Sequence, residues 1–212
     1  MSSEARCGFP QMSLYSAATP YRRHSASRAE GLDSTVSGIG QIDGRRLGGE
    51  GGNARLEWAL HYTYLDARFL TQFTELSASH PDAVGGSVTV PAGSRIPNVP
   101  AHIAKAVVTW FAGAGFSVGV DVIANSGQYY RGDEANLLAP LPGFAVVNLR
   151  AAYRLARPVS VFAIVSNLFD AEYGTFGVLG DPTPVLGPTY TDPRFIGPGA
   201  PRAAWVGVDV TY

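Results

Sequence analysis

The sequence is nearly free of cysteine, with Cys7 alone among its 212 residues. One cysteine excludes an internal disulfide and a cysteine-based metal cluster. The histidines also lack the close spacing of metal ligands; they are His24, His61, His80 and His102. We therefore expect no cofactor and no protein-bound metal.

Long apolar runs are missing as well. The longest uncharged apolar stretch, residues 106–120, is shorter than the roughly 20 residues that a spanning helix needs, and Gly113 and Gly115 interrupt it. Two strands joined by a turn explain this stretch better than a membrane helix does. Residues 1–28 lack the apolar core of a signal peptide.

Charge of either sign is sparse and scattered, with 16 Lys and Arg against 17 Asp and Glu. A nucleic-acid surface requires basic residues clustered on one face, so nucleic-acid binding is not expected. No phosphate-binding or dinucleotide-binding glycine pattern leads from a strand into a helix. Asp133 and Glu134 are adjacent carboxylates, whereas a general acid and base must lie on opposite sides of a substrate. We therefore expect the protein not to be an enzyme.

Six segments alternate between apolar and polar residues with a period of two, which is the signature of half-buried strands. In the first, Trp58 and Leu60 share one face while Glu57 and His61 share the other. The predicted strands are residues 55–70, 101–112, 116–128, 143–155, 159–168 and 201–212. The fifth of them is apolar on both faces, so its orientation stays open.

The connections between these strands alternate in length. Residues 113–115 and 156–158 are short, whereas residues 71–100, 129–142 and 170–200 are long. A transmembrane β-barrel has tight periplasmic turns and long extracellular loops. The sequence therefore predicts an all-β fold, an antiparallel meander of about six long strands that could line part of such a barrel. A secreted or surface β-sandwich that binds a partner or glycan is the alternative.

The N-terminal quarter has a different composition. Residues 1–53 are rich in Ser, Ala, Gly and Arg without a sustained period, and residues 48–52 read as a turn or flexible joint. We expect residues 1–53 to form a poorly structured leader. A strand remnant near residues 44–50 is the alternative. Residues 54–212 are expected to form the β-barrel segment.

Two motifs near the end of the chain carry a resemblance to a known family. Residues 167–173, Asn-Leu-Phe-Asp-Ala-Glu-Tyr, resemble the Asn-Leu-Phe-Asp-x-x-Tyr motif of TonB-dependent outer-membrane receptors. Residues 198–202, Pro-Gly-Ala-Pro-Arg, and the strand after them resemble the closing motif and last strand of that family's barrel. The likeness covers roughly residues 55–212.

This resemblance implies the C-terminal part of a bacterial outer-membrane barrel of about 22 strands. The complete receptor would take up a ferric siderophore or a similar scarce nutrient with energy from TonB. Implied partners are outer-membrane lipid, the TonB energy-transducing protein, an extracellular ferric chelate, and the barrel-assembly machinery through the C-terminal strand.

Several parts of the family pattern have no counterpart in the sequence. We recognise no plug, no TonB-binding box and no signal peptide, so export of this chain alone is doubtful. Six strands would also leave two open edges, which lipid does not tolerate. We expect a gene fragment, a misplaced start or part of a split receptor, unable to transport anything alone.

Ligand contacts are expected in the predicted extracellular loops, chiefly in residues 129–142. Arginine there suits an anionic chelate, and tyrosines offer flat apolar area with a polar tip. The candidates are Tyr129, Tyr130, Arg131, Asp133, Glu134 and Asn136, with weaker ones at Tyr173, Phe176, Tyr190, Asp192 and Arg194. A solvated interfacial loop is the alternative. Asn167 and Asp170 are interpreted as a strand-end turn, because such side chains bond to neighbouring backbone.

Overall fold

The computed structural model describes residues 40–210, which form eleven strands and one short helix. The strands are β1 (Gly40–Gly52), β2 (Leu56–Phe69), β3 (Phe73–Leu76), β4 (Ser87–Val90), β5 (His102–Gly113), β6 (Phe116–Asn125), β7 (Phe144–Ala156), β8 (Val159–Ser166), β9 (Gly174–Leu179), β10 (Arg194–Pro198) and β11 (Ala203–Val210), and the helix is α1 (Thr183–Leu186). Within this range no helix has both the length and the apolar character to cross a membrane.

Seven strands form one antiparallel sheet, in the order β1-β2-β5-β6-β7-β8-β11. Each strand pairs with the next long strand along the chain, so the sheet is a meander. The predicted all-β antiparallel meander is confirmed. Strand starts agree within two residues, as in β2, which begins at Leu56 where residue 55 was predicted. Ends differ more, because β6 ends at Asn125 where residue 128 was predicted.

One strand of the sheet, β1, was not among the six predicted strands and lies where the sequence favoured a poorly structured leader. It pairs with β2 along its whole length, from Gly40 opposite Phe69 to Gly52 opposite Glu57. The leader interpretation is therefore wrong for these residues, and the alternative strand near residues 44–50 is present and longer. A Cβ at Gly51 would lie 3.1 Å from the Trp58 ring, so the glycine makes room for the indole. Residues 1–39 of the expected leader lie outside the described residues.

The pairing register aligns apolar side chains of the long strands on one face of the sheet, while a few others, such as Ile42 and Val107, lie on the opposite face. One row crosses β2 to β11 and consists of Trp58, Val108, Val120, Leu149, Val165 and Ala204. Large side chains of this apolar face are open to solvent, and Val206 and Val208 are 83% and 62% exposed. The register also orients β8: Val161 and Val165 lie on the apolar face, and Phe162 and Ile164 on the other.

The opposite face carries the polar side chains, which bond to one another. The Arg150 guanidinium lies 3.1 Å from the Asp121 carboxylate, and Asn148 Nδ2 donates to the same carboxylate at 2.6 Å. A β-sandwich would bury the apolar face under a second sheet. Among residues 40–210 the other sheets are two-stranded hairpins within the long loops, so nothing there favours the sandwich.

The two ends of the sheet differ in their connections. At the turn end, short turns join β1 to β2, β5 to β6 and β7 to β8. Gly113, Ala114 and Gly115 all have positive φ, at 88°, 50° and 80°, and this left-handed backbone reverses the chain tightly. The opposite end, which we call the loop end, carries the three long connections. The first contains the hairpin β3–β4, and the third contains the hairpin β9–β10 and α1. The predicted alternation of loop lengths is confirmed.

Candidate ligand-binding loop layer

The three long connections pack on each other and form what we call the loop layer, residues 70–101, 126–143 and 167–202. One apolar cluster joins Phe69 at the end of β2 and Phe73, Val88 and Val90 of the first connection to Ala135 of the second. Another joins Tyr130 and Leu141 of the second to Leu179 of the third. The second connection therefore lies between the other two.

Asp133 ties the first and second connections together from a buried position. It is 1% exposed and accepts hydrogen bonds from the backbone of Leu137 at 2.8 Å and Leu138 at 3.0 Å. His80 Nε2 lies 3.1 Å from Asp133 Oδ1, and the backbone N–H of Asp82 donates to His80 Nδ1. His80 therefore donates from Nε2 to the carboxylate, and both Asp133 oxygens are engaged within the loop layer.

Asn136 and Tyr130 also hold the layer together. Asn136 has a left-handed φ of 60°, and its side chain exchanges hydrogen bonds with the backbone of Arg95 at 2.6 and 3.0 Å. Tyr130 is 3% exposed, and a Cβ at Gly177 would overlap its ring. Glycine at residue 177 is thus what lets the third connection pass over this tyrosine.

Arg131 is held by its backbone and exposed at its side chain. Its N–H donates to Gly177 at 3.0 Å and its carbonyl accepts from Leu179 at 2.8 Å, which fixes it against β9. Tyr129 and Glu134 are partly exposed beside it. Of the six candidates, Arg131 is exposed, Tyr129, Glu134 and Asn136 are partly exposed, and Tyr130 and Asp133 are buried. Their role in ligand binding stays a prediction.

A carboxyl pair that the sequence did not reveal lies next to Arg131. Glu75 of β3 interacts with Glu134, and burial together with this neighbour raises the pKa of Glu75 to about 8, while Arg131 acts in the opposite direction. The backbone N–H of Gly132 donates to Glu134 Oε1 at 3.1 Å. With its pKa raised to about 8, Glu75 keeps its proton at neutral pH, which lets the two acids lie close.

Two of the five weaker candidates, Asp192 and Arg194, bond to each other within the third connection. Arg194 donates to Asp192 through Nε at 2.9 Å and through Nη2 at 2.7 Å, and these bonds lower the pKa of Asp192 to about 2. The pair lines a shallow cavity of about 240 Å³ with Pro81, Leu138 and Ala139, where all three connections meet. No group of three metal-ligating side chains occurs within residues 40–210.

The two terminal motifs bond to each other beneath the third connection. Asn167 is 2% exposed and donates from Nδ2 to the carbonyls of Ala171 and Ala200, at 2.9 and 3.0 Å. Asn167 and Asp170 both have left-handed backbone, with φ of 50° and 55°. Residues 167–170 form the predicted strand-end turn, and the Asn167 side chain bonds to the neighbouring backbone of Ala171 as expected, whereas the Asp170 side chain bonds to the distant Arg202.

Comparison with known proteins identifies the relatives of this architecture. A family model described as TonB dependent receptor-like, beta-barrel, matches residues 10–168. No curated protein sequence matches. The matched range begins before residue 55, where the resemblance was expected to start, and ends within the motif at residues 167–173.

Solved structures share the fold at low sequence identity. The siderophore receptor PiuA from Acinetobacter baumannii is 20% identical with a TM-score of 0.65, over 82% of this chain and 22% of that one. The ferric yersiniabactin uptake receptor FyuA from Yersinia pestis is 16% identical with a TM-score of 0.60, over 82% and 24%. The ferric citrate transporter FecA is 17% identical with a TM-score of 0.59, over 86% and 26%. The chain thus spans about a quarter of the length of these structures.

Proposed function

This chain belongs to the TonB-dependent receptor β-barrel family, and we propose that it forms part of the wall and three extracellular loops of an outer-membrane receptor. The observation that carries this proposal is the exposed apolar face that runs across the seven-stranded sheet. A contiguous apolar surface of this size is rare on soluble proteins and is typical of a barrel wall in lipid. The polar face, with Asp121 and Arg150, then lines the barrel interior.

The receptor takes up a ferric siderophore or a similar scarce nutrient, with energy supplied by TonB, and carries out no enzymatic reaction. Support comes from the fold, which it shares with structures described as receptors or transporters for a siderophore, ferric yersiniabactin and ferric citrate. The loop layer faces outward in this arrangement and offers the exposed Arg131 and the partly exposed Tyr129 to the ligand. An arginine can bind an anionic chelate through two parallel hydrogen bonds.

The chain works as a segment of a larger wall and does not transport alone. β1 and β11 each pair with one neighbour in the seven-stranded sheet, which leaves an open edge on each side in the part of the chain described. Lipid does not tolerate unpaired backbone groups, so further strands must close the barrel. Lipid, TonB and the barrel-assembly machinery are the partners of the completed receptor.

Binding of ferric chelates tests this function. The detergent-solubilised chain is titrated with ferric citrate and with a ferric tris-catecholate, followed by tryptophan fluorescence. We expect at least one chelate to bind, and Arg131→Ala to weaken it by roughly tenfold or more, because a hydrogen bond to a charged group is lost. Arg157→Ala, which removes the same charge at the turn end, is the matched control and should bind like the unmodified chain. Equal binding by the two variants, or no binding of either chelate, contradicts the ligand site.

A further inference from the structure

The apolar face of the sheet changes character along β2 as the strand approaches the loop end. Trp58 and Leu60 are followed on the same face by Tyr62 and Tyr64, and then by Asp66 and Arg68. His102 of β5 is paired with Tyr64, and its Nδ1 lies 2.7 Å from the Tyr62 hydroxyl. Aromatic side chains of this kind are enriched where a membrane meets water. The charged residues beyond them therefore lie at the level of lipid headgroups.

Two arginines share one carboxylate at this level. Arg68 Nε lies 2.8 Å from Asp66 Oδ1, and Arg95 Nη2 lies 3.7 Å from the same oxygen. Arg68 also donates from Nη1 to the carbonyl of Gly93 at 2.9 Å, which fixes its guanidinium. Arg95 lies alongside because it forms a β-bridge with Arg68. A single carboxylate between two guanidinium groups leaves one positive charge unbalanced.

A third arginine extends this positive surface onto β1. Arg45 is directly opposite Tyr64 in the register, so it lies on the same face, and it is exposed. Asp43, the neighbouring acid on that face, is opposite Asp66 and accepts a hydrogen bond from Gln41 at 2.7 Å. Arg45, Arg68 and Arg95, which we call the arginine rim, thus outnumber the two aspartates.

We propose that the arginine rim binds the phosphate-bearing headgroup of a membrane lipid. The inference rests on the proposed placement of the apolar face in lipid, and it concerns the outer surface of the wall, away from the ligand site of the loop layer. Guanidinium groups match phosphate geometry with paired hydrogen bonds. The tyrosines and the apolar row below the rim would contact the glycerol region and acyl chains of the same lipid, which favours a lipid over free phosphate.

Native mass spectrometry of the full chain in an uncharged detergent tests the site. Phosphatidic acid and phosphatidylcholine are added to the micelles, and the chain is expected to retain phosphatidic acid preferentially. Arg68→Gln/Arg95→Gln should weaken phosphatidic acid binding by roughly 30-fold, the factor expected for two arginines close to an anionic lipid surface. Arg45→Gln, whose exposed side chain can be removed without disturbing packing, should weaken it by roughly fivefold.

The control is Arg154→Gln/Arg157→Gln, which removes the same charge at the turn end and should bind like the unmodified chain. Equal retention of the two lipids, equal binding by the rim and control variants, or displacement of phosphatidic acid by equimolar inorganic phosphate would each overturn the lipid site. Ferric chelate binding is measured on the same variants and should be unchanged. If the chain binds a ferric chelate but shows no preference for phosphatidic acid, the lipid site fails and the proposed function stands. If it binds phosphatidic acid but neither chelate, the proposed function fails and the lipid site stands.

Discussion

Asp170 accepts a hydrogen bond from the backbone N–H of Arg202 at 3.0 Å, and its carboxylate lies 3.4 Å from the Arg202 guanidinium. The contact joins the two motifs near the end of the chain across 32 positions of sequence. Gly199, whose N–H donates to the carbonyl of Tyr173 at 2.7 Å, adds a second link. The motifs therefore fix the third long connection onto the start of β11. Their residue types are explained by the backbone hydrogen bonds and left-handed backbone that this junction requires.

Removing the side chain of Asn167 should destabilise this junction most. Asn167→Ala leaves the carbonyl of Ala200 and both backbone groups of Ala171 without their partner, and it places alanine at positive φ. We expect a loss of about 2 kcal/mol or more in the free energy of unfolding. Urea unfolding in detergent micelles measures it. Glu172→Ala, an exposed change in the same turn, is the control, and equal stability of the two variants would argue against the junction.

Arg202→Gln should have a much smaller effect. The backbone N–H that bonds to Asp170 remains, and the ion pair that is lost lies between side chains 55% and 52% exposed. Exposed ion pairs contribute roughly 0–1 kcal/mol. The same urea experiment should therefore place Arg202→Gln close to the unmodified chain. A loss as large as that of Asn167→Ala would mean that the guanidinium, rather than the backbone, holds the junction.

Asp133 should be essential for order in the second long connection. Asp133→Ala leaves His80 and the N–H groups of Leu137 and Leu138 without an acceptor in a buried site. Leaving buried donors without their charged acceptor costs about 3 kcal/mol. Hydrogen exchange over residues 129–142 should increase strongly, while the sheet keeps its protection. Asp82→Ala is the matched control, because only the backbone of Asp82 bonds to His80.

The Glu75–Glu134 pair should make the loop layer less stable at alkaline pH. The pKa of Glu75 rises from 4.5 to about 8 in the fold, so the folded state holds more protons than the unfolded state between these values. Its contribution to stability is therefore complete below about pH 4.5 and is lost as pH rises through about 8. Asp192, whose pKa is lowered to about 2, loses its contribution only in strong acid and is silent in this range.

Glu75→Gln isolates this effect, because glutamine keeps the shape and stays neutral. Unfolding in detergent is compared between about pH 5 and about pH 9 for the variant and the unmodified chain. The variant should show the weaker dependence on pH. Parallel pH profiles would mean that Glu75 ionises without affecting the layer.

The reconstituted chain should not transport. Within residues 40–210 the seven-stranded sheet has one open edge at β1 and another at β11, so this sheet cannot enclose a path for a ligand. Liposomes that contain the chain and TonB should accumulate no radioactive iron from ferric citrate, whereas liposomes with a complete family member serve as the positive control. Uptake by the chain would contradict its role as a segment of a larger wall.

Much of the sheet could be predicted from the sequence because strands with one apolar and one polar face have a period of two. β2 and β7 were predicted within about one residue for that reason. β1 was not favoured because its glycines look like a turn, although Gly49 and Gly51 lie beneath the Trp58 ring and so belong to the pairing. The hairpins β3–β4 and β9–β10 are only 4 to 6 residues long on each strand, too short for alternation to stand out.

The loop layer was harder to predict because its contacts are distant in sequence. His80 and Asp133 are 53 positions apart, so neither residue signals the other. Glu75 pairs with Glu134 across a similar distance, and two acids in contact are an unexpected combination. Tyr130, Asp133 and Asn136 were predicted as ligand contacts from their residue types, and the structure places them where they hold the layer together. Residue type alone could not tell such side chains from those that face outward.

The central claim is that the apolar face contacts hydrocarbon while the polar face looks into a wet interior. Spin labels on single cysteines test it, with Cys7→Ser as background and labels at Val206 and Val208 on one face and at Trp205 and Asp209 on the other. In proteoliposomes, oxygen should relax the first pair of labels more strongly, and a water-soluble nickel chelate the second pair. Equal accessibility along β11, without this alternation, would contradict the account.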